Sequence, residues 1–194
     1  MTRMPYRIES QRLVLRCYEP TDGPALFEAI DASRAELHRW LPWRTNTLEE
    51  AEASVRRNRG KFDLGQDFTL GIFRKADGRF LGGTGLHRFD WELGRFEIGY
   101  WLRTDELGKG YVTEAAGRLT CLCFDTLAAR RVEIRVDTEH RASRAIAERL
   151  GFPLEGVARH AMALDGEPRD AAIYAMTRPD FPASPAAAHR DPHT

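Results

Sequence analysis

The residues with the most chemical promise lie in one turn, Gly108-Lys109-Gly110, between an alternating strand and an amphipathic helix. Glycines at both ends of so short a turn let the backbone take left-handed angles, and successive amide N–H groups can then converge on one point. The helix that follows brings its unpaired first-turn N–H groups and the positive end of its dipole to the same place. A phosphate or pyrophosphate suits such a site; an ordinary loop with a solvated lysine is the other reading of the same residues. Lysine occurs only at Lys61, Lys75 and Lys109 in an arginine-rich chain, and one of them falls in this turn, where a compact cation suits a phosphate. The pattern is not a Walker loop, because Tyr111-Val112 follows Gly110 where Lys-Ser/Thr is required. It is not a dinucleotide fingerprint either, because Thr113 stands where the third glycine belongs.

The elements around the turn follow from periodicity. Phe96, Ile98, Tyr100 and Leu102 share one face of a strand, with Glu97, Gly99 and Trp101 on the other. After the turn, Val112, Ala115, Ala116, Leu119, Leu122, Cys123 and Leu127 recur at helical spacing, and residues 131–136 alternate again. Strand, helix and strand of this length predict a crossover joining parallel strands. A helix over residues 141–150, closed by Gly151, and two strands over 157–164 and 169–176 around Asp165-Gly166 complete this half.

Upstream, residues 12–17 alternate as a strand, with short helices predicted over 24–30 and 33–40, the second ended by Pro42. Thr47-Leu-Glu-Glu50 forms a capping box for a helix to about Arg59, whose Arg56, Arg57 and Arg59 read as a solvated face. Strands over 68–74 and 79–87 flank the hairpin signal Ala76-Asp-Gly78. From Pro179 onward there is no periodicity. The expectation is one α/β domain over residues 1–178, a mixed and mostly antiparallel sheet of about seven strands flanked by helices, with a disordered tail over 179–194.

The totals narrow the function. A length of 194 residues, 42% apolar and 30% charged, suits one globular domain in the cytoplasm. With Lys+Arg and Asp+Glu both at 29, no global charge argues for nucleic acid or an anionic membrane. No apolar run approaches a membrane span, and nothing reads as a signal peptide. Cys17, Cys121 and Cys123 read as buried free thiols, and neither they nor the six histidines show metal-ligand spacing, so no metal is expected. Monomer and homodimer both stay open.

Four passages in order, Arg12-Leu-Val-Leu-Arg16, Glu97-Ile-Gly-Tyr-Trp-Leu102, Gly108-Lys-Gly-Tyr-Val-Thr-Glu-Ala115 and Ala142-Ser-Arg-Ala-Ile-Ala-Glu-Arg-Leu-Gly-Phe152, resemble the GNAT N-acetyltransferase superfamily and its Rim-type, ribosomal-protein N-terminal acetyltransferase-like branch. The resemblance implies acetyl-CoA as cosubstrate, its pyrophosphate on Leu107, Gly108, Lys109, Gly110, Tyr111 and Val112. Pantetheine would lie along Trp101, Leu102 and Arg103, with His140 and Ser143 contributing from the late helix. Two positions depart from the family pattern. Asp105 replaces a Gln or Arg and puts a negative charge near the phosphate, while His140 replaces an Asn.

Under the same resemblance Glu97 is either the base for the acceptor amine or a surface carboxylate paired with a neighbouring arginine, and Ser143 either caps its helix or meets the departing thiolate. Glu114 suits packing or an ion pair better than catalysis. Trp40 and Trp43 either cap the core or line the acceptor cleft. The implied activity is acetyl transfer to an amine, most directly a protein N-terminal α-amine. A small amine such as an aminoglycoside or amino acid, or a silent CoA-binding module, are the alternatives.

Overall fold

The computed structural model describes residues 4–42 and 45–190. Eight strands form one sheet: β1 (Arg7–Glu9), β2 (Leu13–Cys17), β3 (Phe68–Arg74), β4 (Phe80–Asp90), β5 (Arg95–Leu102), β6 (Arg131–Asp137), β7 (Leu154–Leu164) and β8 (Glu167–Thr177), in the order β1-β2-β3-β4-β5-β6-β8-β7. The one strand beyond the expected seven is β1, whose three residues pair with β2 and are too few to show periodicity. Among the described strands only β5 and β6 run parallel, as the crossover rule requires of strands joined through a helix. That junction is also where the sheet opens. The ladder ends at Glu97 opposite Glu133, although β5 continues to Leu102 and β6 to Asp137.

Helices cover both faces. On one side α1 (Gly23–Asp31), α2 (Arg34–His38) and α3 (Leu48–Asp63) bury Leu26, Ile30, Leu37 and Val55 against Val14, Phe73 and Phe80. Thr47 caps α3 through a reciprocal bond set with Glu50. This helix runs through Gly60 instead of stopping near Arg59, because Phe62 is buried and packs 4.9 Å from the Tyr6 ring. On the other side α4 (Tyr111–Cys121) and α5 (Arg141–Arg149) cover Phe96, Ile98, Val132 and Ile134. The expected continuous helix to Leu127 widens after Cys121 into a π turn over Leu122–Thr126, where Leu127 N–H donates to Leu122 O. The three cysteines are free and buried, and burial pushes the thiols of Cys17 and Cys121 up to about 11.

The stretch after Pro179 is ordered through Arg190, against the expectation of a disordered tail. Phe181 stacks on Phe124 at 4.7 Å, Ala186 is fully buried, and its N–H and C=O bond to Leu150 O and Cys121 Sγ. His189 sits directly over Gly117, where a Cβ would come within 2.4 Å of the ring. Two apolar residues and a histidine seat are enough to dock the strap, and too few to leave a pattern in a proline-rich run. Among the described residues no helix is long and apolar enough to cross a membrane.

Candidate functional site

Gly108 (φ 76°) and Gly110 (φ 80°) both adopt the left-handed conformation, and α4 begins at Tyr111 immediately after them. The first N–H groups of α4 therefore project from the turn beside the point where β5 and β6 part. The connection between β1 and β2 ties the turn down. Arg12 donates through Nη1 to the Lys109 carbonyl at 3.0 Å, and through its backbone N and Nε to Glu114 at 2.7 and 2.6 Å. Glu114 also accepts the Ser10 hydroxyl at 2.7 Å. Burial alone would raise the Glu114 carboxyl, but these donors win and hold it below the usual carboxylate range. Glu114 is thus a structural anchor, in line with the ion-pair reading of it.

Behind the turn the charges are already matched. Buried Glu106 accepts from Arg74, Arg79 and Lys109, the lysine Nζ lying 2.8 Å away. Asp105 accepts from Arg79 at 2.7 Å and Arg103 at 2.6 Å. The expectation that Asp105 repels a phosphate is corrected by these arginines, which neutralise it locally. Arg103, expected beside the cofactor, has its guanidinium buried in a bidentate pair with Glu28, both contacts at 2.7 Å. Its side chain fixes α1 to the end of β5 and is not free for a ligand. Tyr111 is buried under the Arg12 guanidinium and contributes to the turn through its backbone.

Between the diverging strands lies a cleft of about 910 Å³, and Trp40, Glu97, Trp101, Leu102, His140 and Ser143 all line it. Leu107 and Val112 line its end next to the glycine turn. Alternation splits the chemistry between the two faces of β5. Glu97, Gly99 and Trp101 face α1 to α3, where Trp101 packs against Phe80, whereas Phe96 and Ile98 face α4 and α5.

On the α5 side the Ser143 hydroxyl donates to the Tyr100 hydroxyl at 3.2 Å, and Tyr100 in turn donates to the Ser143 carbonyl at 3.1 Å. Ser143 makes no N-cap bond; His140 occupies the cap position of α5. Burial raises the Tyr100 phenol to about 12, so it stays protonated. Elsewhere on the cleft wall the Trp40 ring stacks on His140 at 4.1 Å and donates through Nε1 to Glu36 at 3.0 Å. Burial, its largest influence, lowers the His140 imidazole below its ordinary value. Trp43 lies outside the described residues.

Three features have no specific signal in the sequence, although an arginine partner for Glu97 is one reading of it. Glu97 is buried and both its oxygens are taken by Arg88, one through Nε at 2.9 Å and the other through Nη2. Arg88 can reach it because it sits in the left-handed region at φ 41°, at a break in the β4–β5 register. His87 and Asp67 are paired on the same wall. Arg57, read as part of a solvated face, lines the cleft, while Arg59 turns to Asp63 and the Tyr18 carbonyl. Among the described residues no group of His, Cys, Asp and Glu is placed to hold a metal.

Residues 12–153 match the family described as acetyltransferase (GNAT) domain. The Bacillus subtilis (strain 168) protein YdaF is 30% identical over 177 residues, spanning 89% of this chain and 94% of that protein. The [ribosomal protein uS5]-alanine N-acetyltransferase of Escherichia coli (strain K12) is 25% identical over 90% of this chain and 92% of its own. Among solved structures, RimL, titled ribosomal L7/L12 alpha-N-protein acetyltransferase, is similar with a TM-score of 0.79 at 26% identity, covering 88% of this chain and 93% of that one. Because the family match runs from the first core strand past the end of the late helix, the chain belongs to the GNAT family and is an acetyl-CoA-dependent N-acetyltransferase.

Proposed function

We propose that the acceptor is the α-amine of a protein N-terminus, a ribosomal protein being the class that the named relatives suggest, and that the reaction takes place in the cytoplasm. The observation that carries this is the opening of the sheet at Glu97 into a cleft reaching both faces, wide enough at about 910 Å³ for an extended peptide end to approach a thioester lying between β5 and β6. The amides of residues 108–112 hold the pyrophosphate, with Leu107 and Val112 beside the pantetheine arm. The thioester then lies along Trp101 and Leu102. The amine enters from the α1–α3 face past Trp40 and His140, and the thiolate leaves toward α5.

Each face supplies one half of the chemistry. On the acceptor face each Glu97 oxygen keeps a lone pair beyond the Arg88 bonds, and that pair can accept an N–H of the ammonium. Since Arg88 already donates to both oxygens, proton uptake there has to break an ion pair on a buried carboxylate, which makes Glu97 a binding group more readily than a base. On the other face the Ser143 and Tyr100 hydroxyls meet the developing thiolate, and with no cap bond to lose Ser143 is available for that role.

Thiol release from acetyl-CoA, followed with peptides bearing free or blocked N-termini, aminoglycosides and free amino acids, tests the reading. Peptides with a free α-amine should give the highest kcat/KM and blocked ones none. A preference for small amines, or no turnover with any of them, would overturn it.

A further inference from the structure

A second base, His87, stands beside Glu97, and of its ring nitrogens only Nδ1 makes a hydrogen bond among the described residues. Asp67, just before β3, accepts the Thr69 hydroxyl on Oδ1 at 2.6 Å and faces His87 Nδ1 with Oδ2 at 2.8 Å. A carboxylate can only accept, so in the neutral imidazole this contact puts the proton on Nδ1 and leaves the lone pair on Nε2. Burial raises the Asp67 carboxyl, but the bond to His87 holds it below the ordinary range, so it stays ionised. His87 on β4 is in register with Glu97 on β5, so both side chains stand on the acceptor face.

Gly85 and Gly99 clear the floor beneath the ring. A Cβ on Gly85 would lie 3.0 Å from Cε1, and one on Gly99 would lie 2.8 Å from Cδ2 and 3.1 Å from Nε2. Nε2 is thereby set over the stretch of β5 just past its last pairing with β6, where the sheet has opened. The charged groups around it are Asp67, Lys61 and Arg57 from the α3 side, and Arg88 and Glu97 along the strands.

We infer that His87 Nε2 takes the proton from the acceptor ammonium, with Asp67 as the positioning residue that fixes the tautomer and stabilises the imidazolium. The step rests on the acetyl-transfer reading above. The ammonium gives one proton to Nε2, the freed lone pair forms the N–C bond to the thioester carbon, and the C–S bond then breaks. The second proton, from the nitrogen of the tetrahedral adduct, ends on the thiolate at the Ser143 and Tyr100 side, and His87 returns the first to water. One amide, one thiol and one released proton result.

The test compares wild type with His87→Gln, Asp67→Asn and Glu97→Gln on two acceptors, a free N-terminal peptide and hydroxylamine, which is already unprotonated at neutral pH and has no proton to lose before attack. His87→Gln should lower kcat on the peptide by about 10²- to 10⁴-fold, much less on hydroxylamine, with acetyl-CoA affinity by calorimetry unchanged. Its deficit on the peptide should shrink as pH rises. Asp67→Asn should lower kcat on the peptide by about tenfold or more and shift the acidic limb of the pH profile, and Glu97→Gln should mainly raise peptide KM. Equal losses on both acceptors, or none, would assign His87 a structural role.

Imidazole ¹⁵N shifts give a reading independent of turnover: a neutral imidazole with its proton on Nε2 in the wild-type protein overturns the proposal. If wild type uses small amines in place of peptides, the acceptor class falls while the same variants still test His87 on those amines. If it acetylates no amine, both fall.

Discussion

Glu114→Gln probes the link between the β1–β2 connection and the phosphate turn, because it keeps the side-chain shape and removes only the charge. The carboxylate is 8% exposed and accepts three donors, the Ser10 hydroxyl and the Arg12 N–H on Oε1 and Arg12 Nε on Oε2. Glutamine can keep the Oε1 pair, but its NH₂ then meets Arg12 Nε–H, donor against donor. Losing one charge-assisted bond costs about 1.5–3 kcal/mol. Leaving a buried partner unpaired raises such losses to about 3–5 kcal/mol, a range that applies only in part here because water can solvate the half-exposed Arg12. The working figure is about 2–3 kcal/mol, or a Tm lower by roughly 4–12 °C for a chain of this size.

The pH dependence has a definite sign. Glu114 titrates below its unfolded value, so its stabilisation is present above the unfolded carboxyl range, about pH 4.3, and is lost as pH falls through the lower folded value. Thermal melts of the two proteins should therefore differ near neutrality and converge on acidification. Because Arg12 also holds the Lys109 carbonyl, the acetyl-CoA KM should rise in parallel. An unchanged Tm at pH 7, or a gap that widens in acid, would refute the anchor.

Three further outcomes can be checked with the same preparations. Gly110→Ala forces a non-glycine residue to φ 80°, at about 1–2 kcal/mol, while its Cβ would meet only the Arg12 Nη2 tip at 3.5 Å; the fold should survive by circular dichroism and calorimetry should show acetyl-CoA binding weakened about tenfold or more. Unchanged affinity would move the pyrophosphate elsewhere. Ser143→Ala, having no cap bond to lose, should keep its Tm to within a few degrees while kcat falls by about tenfold or more; a lower Tm with kcat retained would reverse that assignment. Asp105→Gln should change acetyl-CoA affinity by less than about threefold, since Arg79 and Arg103 already neutralise this exposed carboxylate, and a marked tightening by calorimetry would restore the repulsion reading.

What the sequence determined by itself is what short stretches of chain can encode. The left-handed glycines of the turn, the Thr47 capping box, the Asp77-Gly78 hairpin and the alternation of β5 each depend on residues a few positions apart, and each appears as read. With the crossover rule they also determined the parallel pairing of β5 and β6. The working surfaces of the site depend on pairs far apart in the chain, for which no local spacing carries a signal. Tyr100 meets Ser143 across 43 residues, Asp67 meets His87 across 20, and Arg103 is drawn from the cofactor to Glu28 across 75. The early end of the β5–β6 ladder, the φ of Arg88 that lets it clamp Glu97, and the docking of Phe181 and Ala186 were likewise decided only when the helices packed on the sheet. These features answer to steric fit and charge matching between elements, so they exist only once the elements are brought together.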